Sequence, residues 1–293
     1  MKKLAFSVWP DLPHNPSCPQ SLLNRSKQRE ELLNQHGFDF RHLGRCDHDE
    51  VSKTLASRYT KKHIRKATSI SDYIRVAEMV FALEKEGYDE VFYLDYDFHL
   101  WSPPENYGVA LQCNLQPDEN GEPTKLWYRG INSVYYLGQK HLPILKRHQK
   151  LLQDYIIGKD YNPAYCYPMN FLAEIEESIG YVPGYWLLGS FVRTNSYCPG
   201  YVEKLIHLAL FAGDMPKGKF IEGINLMGSD YDTESGFLAE QTRAEEIKMK
   251  LEKRYPYYTL EELREDLKSV RLRPNYNSLQ KRAQLKKLLG RDK

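Results

Sequence analysis

The segment Asp89-Glu90-Val91-Phe92-Tyr93-Leu94-Asp95-Tyr96-Asp97 constrains this chain more than any other. Its apolar run, Val91 to Leu94, does not alternate with polar residues, so the strand it predicts must be covered on both faces, as in parallel sheets. Side chains alternate along a strand, and by that rule Asp95 and Asp97 project to one side at its carboxyl end. Open α/β sheets bind their ligands at that end. Two carboxylates there are costly unless something positive neutralises them. A hard divalent cation with oxygen ligands does so, and the pattern points to a metal and diphosphate site.

The chain holds two further Asp-x-Asp pairs. Asp47/Asp49 opens a polar stretch of helical character and reads as a helix N-cap. Asp230/Asp232 lies in the turn-rich loop Gly228 to Gly236, from which either residue is a further candidate metal ligand. Only the middle pair ends an apolar strand. Upstream of it, Ser71 to Glu86 predicts an amphipathic helix with Ile74, Ala77 and Phe81 on one face. Asp72 and Arg75 share another face near its start. Read alone, that pair is a surface ion pair worth at most about 1 kcal/mol.

Ser71-Asp72-Tyr73-Ile74-Arg75 and Tyr93-Leu94-Asp95-Tyr96-Asp97 together resemble the core of the GT-A glycosyltransferases. The branch of mannosyltransferase-like enzymes and clostridial glucosyltransferase toxins carries a Ser-Asp-x-x-Arg helix followed by a strand ending in Leu-Asp-x-Asp. One departure is that the Gly-Gly pair usual in that branch before the strand is replaced by Glu86-Gly87-Tyr88-Asp89. The result is closer to galactosyltransferase-like members, so the superfamily is better supported than the branch. The resemblance implies a Rossmann-like α/β fold with a mostly parallel sheet flanked by helices. It also implies catalytic roles for Asp72, Arg75 and Asp97, donor contacts from Trp9, Asp72, Arg75, Tyr96 and Asn132, and Mn²⁺ or Mg²⁺ on Asp95 and Asp97. The activity implied is metal-dependent transfer of a sugar from a UDP- or GDP-sugar to a hydroxyl, with retention of configuration.

The rest of the chain bounds this reading. At 293 residues, with 41% hydrophobic and 27% charged residues, it has the composition of an ordinary globular protein. The N-terminal apolar run, Leu4 to Trp9, is too short for a signal-peptide core or a membrane span, so a cytoplasmic location is expected. The five cysteines lack any Cys-x-x-Cys, which indicates neither a disulfide framework nor a zinc site. Residues 271–293 carry eight Lys or Arg and one acid, a local charge of +7 within a chain of net +2. That segment is a solvated helix or an anion-facing arm.

The order of elements is strand (Leu4–Trp9), Pro-rich loop, helix (Ser21–Gln35, ending at Gly37) and strand (Phe38–Leu43). Trp9 is either a core residue or a platform for a nucleotide base. The basic run Arg58 to Lys66 is a solvated face or a phosphate contact. A strand from Tyr107 to Cys113, a polar loop from Gln116 to Lys125, a strand from Gly130 to Tyr136 carrying Asn132, and a helix from Leu142 to Ile157 follow. We expect a catalytic domain over 1–240 and a basic helical extension over 241–293. The acceptor is a saccharide by default. The alternatives are a hydroxymethylated base in DNA, as for bacteriophage enzymes, or a non-catalytic nucleotide- or nucleic-acid-binding protein with a degenerate core.

Overall fold

The computed structural model describes residues 1–12, 17–44, 46–57, 64–117, 123–157, 181–187, 222–225, 242 and 244–249. The first part of the chain is β1 (Lys3–Val8), α1 (Gln20–Gln35), β2 (Phe38–Leu43), α2 (Glu50–Ser57), α3 (Ile64–Glu84) and β3 (Glu90–Leu94). There follow β4 (His99–Leu100), β5 (Gly108–Pro117), β6 (Pro123–Gly138), a short 3₁₀ turn, α4 (Leu142–Ile157), β7 (Tyr181–Leu187) and β8 (Gly223–Asn225). All eight strands join one sheet in the order β2-β1-β3-β6-β5-β7-β8-β4. β1 pairs in parallel with β2 and β3, and β7 does so with β5 and β8. β6 runs antiparallel between β3 and β5, and β4 antiparallel to β8.

The expected α/β class with Rossmann-like parallel units is therefore present, and period-two alternation explains its layers. Leu4, Phe6, Val8, Val91 and Tyr93 pack on one face of the sheet with α3 residues such as Ile74, Ala77 and Met79, and with Leu145 and Leu152 of α4. Ala5, Phe92 and Leu94 pack on the other face with Leu33 of α1. Every residue of β3 is buried, as the unbroken apolar run requires, and each large side chain so buried contributes about 1.5–3 kcal/mol. Gly37 and Gly87, with φ of +78° and +72°, follow α1 and α3 in the left-handed conformation that Gly adopts without strain.

Several boundaries differ from expectation. α3 begins at Ile64, so Ser71 lies mid-helix rather than at its start. β5 and β6 extend into the segment read as a polar loop, because their antiparallel pairing satisfies the backbone whatever the side chains. The reading of Asp49 as an N-cap agrees with the structure, its Oδ2 accepting from the Ser52 amide at 2.7 Å. Outside the described residues lie Asp230, Asp232, residues 251–293 with the basic segment, and 58–63 of the basic run. Among the described residues no helix is long and apolar enough to cross a membrane.

Candidate active site at the end of the third strand

β3 stops at Leu94, and Asp95 to Phe98 form a turn closed by the Phe98 amide on the Asp95 carbonyl at 3.1 Å. The alternation rule used to place Asp95 and Asp97 on one side therefore does not apply to them, because Asp95, Tyr96 and Asp97 are no longer extended. The pair still sits at the carboxyl end of a buried parallel strand. The Asp95 amide donates to the Ser133 carbonyl of β6 at 2.9 Å, which fixes where the turn departs.

α3 supplies the charges behind the turn. Arg75 Nη2 lies 2.9 Å from Asp72 Oδ1 and 3.5 Å from Asp95 Oδ1. The side chains of Arg75 and Asp72 are 5% and 1% exposed, whereas that of Asp95 is 26% exposed. This excludes the surface ion pair weighed from sequence: the pair is buried and reaches across to the strand. The Arg75 guanidinium lies over the Tyr93 ring, 4.5 Å from its centre, and the Tyr93 hydroxyl donates to Asp95 Oδ1. Burial raises the Asp95 pKa above the ordinary carboxylate value, and Arg75, Tyr93 and Arg29 oppose the rise without cancelling it.

Behind the turn sits a second cation. Arg29 of α1 donates to Ser7 Oγ at 2.8 Å and to the carbonyls of Tyr96 at 3.0 Å and Phe98 at 2.5 Å. Ser7 Oγ in turn donates to the Leu94 carbonyl at 2.7 Å. Burial lowers the Arg29 pKa to about 10, with Asp97, Tyr96 and Asp95 acting to raise it. Sequence reasoning missed Arg29 and Ser7. A signal existed, since Leu22, Arg25, Ser26, Arg29 and Leu33 recur at helical spacing and form the buried stripe of α1. Two arginines on the apolar stripe of a helix demand anionic or carbonyl partners. Arg25 meets His99, its Nη1 lying 2.9 Å from Nε2.

Trp9 follows β1 and contacts the buried Tyr96 edge to face, their centres 5.9 Å apart. Tyr96 meets His42 Nδ1 at 2.6 Å through its hydroxyl, so its ring packs beneath Trp9. Asn132 lies in β6, beyond the Val134 that pairs with Leu94, and so is near the strand end. The structure thus brings Trp9, Asp72, Arg75, Asp95, Tyr96, Asp97 and the backbone of Asn132 to one end of the sheet.

In donor chemistry, Asp95 and Asp97 fit a hard cation: two partly exposed carboxylates share one turn. Asp95, 26% exposed and 3.5 Å from Arg75, leaves carboxylate surface open for a further cation. Further ligands would come from a diphosphate, water, or the Asp230/Asp232 loop outside the described residues.

No protein-family model matches this sequence, and no curated protein matches it. Among solved structures, one that is similar is a glycosyltransferase involved in the glycosylation of the major capsid of PBCV-1. The match has 12% identity and a TM-score of 0.39, covering 79% of this chain and 98% of that one.

Proposed function

We propose that this chain is a glycosyltransferase that moves a sugar from a nucleotide-diphosphate donor to a hydroxyl of a saccharide, with retention of configuration. The observation that carries this reading is the row of charges Asp72–Arg75–Asp95, which begins in the core and ends on a half-exposed turn beyond a parallel strand. Asp95 and Asp97 would hold a divalent cation. The chemistry such a cation supplies is neutralisation of charge on the departing diphosphate.

The chain's own residues do the positioning. Arg75 keeps the Asp95 carboxylate turned toward the turn's open side, and Asp72, 1% exposed, acts by holding Arg75 rather than by meeting the sugar in this arrangement. Arg29 fixes the backbone of the turn, so the acid pair is presented without reorganisation when substrate binds. Trp9, which packs on Tyr96 and the buried Leu22, would meet the nucleotide base with whatever of its ring that packing leaves open. His99 and His148 border these cations and are lowered to about 2 and about 3 by burial and by Arg25 and Arg75 respectively.

A thermal-shift screen of UDP-, GDP-, CDP- and dTDP-sugars, with and without Mn²⁺, tests the proposal. Stabilisation by one nucleotide class that requires metal and is lost in Asp97→Asn is the expected result. A folded protein that responds to no donor overturns it.

A further inference from the structure

Spacing of the cysteines suggested no metal site, but folding brings one cysteine to ligands distant in sequence. Cys46 and His48 lie between β2 and α2, and Glu78 lies on α3. Cys46 Sγ is 2.9 Å from His48 Nε2 and 3.9 Å from Glu78 Oε2, and the last two atoms are 3.5 Å apart. A triangle with those edges has a circumscribed radius of about 2.0 Å, so one point sits near metal–ligand distance from all three atoms. Tetrahedral zinc with bonds of about 2.0–2.3 Å separates its ligands by about 3.3–3.6 Å; the His48–Glu78 edge matches this, and the sulfur would move about 0.5 Å from the imidazole on binding.

Neighbouring groups orient these donors as outer-shell partners do. Arg41 Nη1 takes the other oxygen of Glu78, Oε1, at 3.2 Å, which turns Oε2 toward the sulfur and imidazole. The His48 ring stacks on Phe81, centres 3.6 Å apart and planes 14° from parallel, so its rotation is fixed. The carboxylates of Asp49, Glu86 and Asp47 act electrostatically on the His48 ring. The field on the site is thus negative apart from Arg41, as suits a bound cation. Thiolate, imidazole and carboxylate together select a borderline-soft ion over Mg²⁺ or Ca²⁺.

We propose that Cys46, His48 and Glu78 form a Zn²⁺ site, with solvent completing the coordination on the side where His48 is exposed. Binding exchanges the thiol proton of Cys46 for a metal–sulfur bond and releases that proton to water. The ion fastens the loop after β2 to α3 one turn beyond Arg75, and so fixes the register of the helix that presents Asp72 and Arg75. It is separate from the cation that Asp95 and Asp97 would hold under the proposed function.

Titrating the whole, metal-free chain with Co²⁺ tests this, because a cysteine-ligated cobalt shows a thiolate-to-metal charge-transfer band. One equivalent should develop the band in the wild type, in Cys18→Ser and in Asp95→Asn/Asp97→Asn. Cys46→Ser should abolish it, and His48→Ala, which changes a partly exposed side chain, should weaken Co²⁺ binding at least about tenfold. Zn²⁺ should raise the Tm of the wild type and not that of His48→Ala. No band from a folded wild type, which would leave the trio a hydrogen-bonded cluster, overturns the proposal. So does a band that survives Cys46→Ser or disappears in Asp95→Asn/Asp97→Asn.

Discussion

Glu90 opens β3 and Asp95 follows its last residue, so one short strand carries a carboxylate at each end, in opposite electrostatic circumstances. Glu90 receives the Tyr107 hydroxyl at 2.7 Å and the Tyr136 hydroxyl at 2.5 Å, with Lys3 at 3.4 Å. Burial works against its ionisation, but these donors outweigh burial and its pKa is lowered. Asp95 must share Arg75 with Asp72, which lies closer to it, and burial leaves its pKa raised. The partners of Glu90 exceed its needs, as suits a group that serves the fold. Asp95 is left short of positive charge, and that deficit is what a bound cation would fill.

The largest perturbation removes the shared cation. Arg75→Met leaves Asp72 buried without its ion-pair partner and should cost about 3–5 kcal/mol in urea unfolding, while Asp72→Asn in the same chain should restore more than half of it. A loss below about 1 kcal/mol would mean that Arg75 does not sustain both carboxylates. Next, Asp97→Asn should lower sugar transfer by about 10²–10³-fold at unchanged unfolding midpoint, measured by release of nucleoside diphosphate. Wild-type turnover in that variant removes the turn from the chemistry.

Glu90→Gln probes the other end of the strand. It should cost about 1–3 kcal/mol near neutral pH and leave transfer intact. The lowered pKa gives its pH dependence a definite sign. The contribution is present above the unfolded carboxylate value, about 4.3, and is lost as pH falls through the folded value. Wild type and Glu90→Gln should therefore converge in stability on acidification below about pH 4, and a constant gap would contradict the comparison. Smallest is the effect of Asp95→Asn on stability of the metal-free protein. It removes a poorly compensated charge while keeping an acceptor for Tyr93 and Arg75, so the change should be stabilising and under about 1 kcal/mol. A large destabilisation there would place Asp95 with Glu90 as a structural group.

Much of this was legible in the residues. The unbroken run Val91–Leu94 specified a strand covered on both sides, and β2 and α4 occupy the spans that periodicity assigned them. The start of α3 was not legible, because the basic residues around Lys66 lack the apolar periodicity by which an amphipathic helix is recognised. Asp72 and Arg75 were visible as neighbours on a helix, but their i,i+3 spacing does not say which way the helix turns. It faces them to the sheet, and the same spacing makes a buried pair. Arg29 and Ser7 escaped because their partners, Tyr96, Phe98 and Leu94, are remote in sequence and mostly backbone atoms. The same holds for Glu78, which no spacing rule joins to Cys46 and His48.

The guanidinium of Arg29 has a mechanical consequence. Two carbonyls of the acid turn, those of Tyr96 and Phe98, and the hydroxyl that braces the strand end are all tied to one side chain rooted in α1. The turn and the helix therefore share a hinge with no slack in it, and the backbone under Asp97 cannot shift without pulling on α1. Loading the acid pair is in this sense transmitted to the opposite face of the sheet, where slower amide exchange along α1 would register occupancy without any label at the site itself.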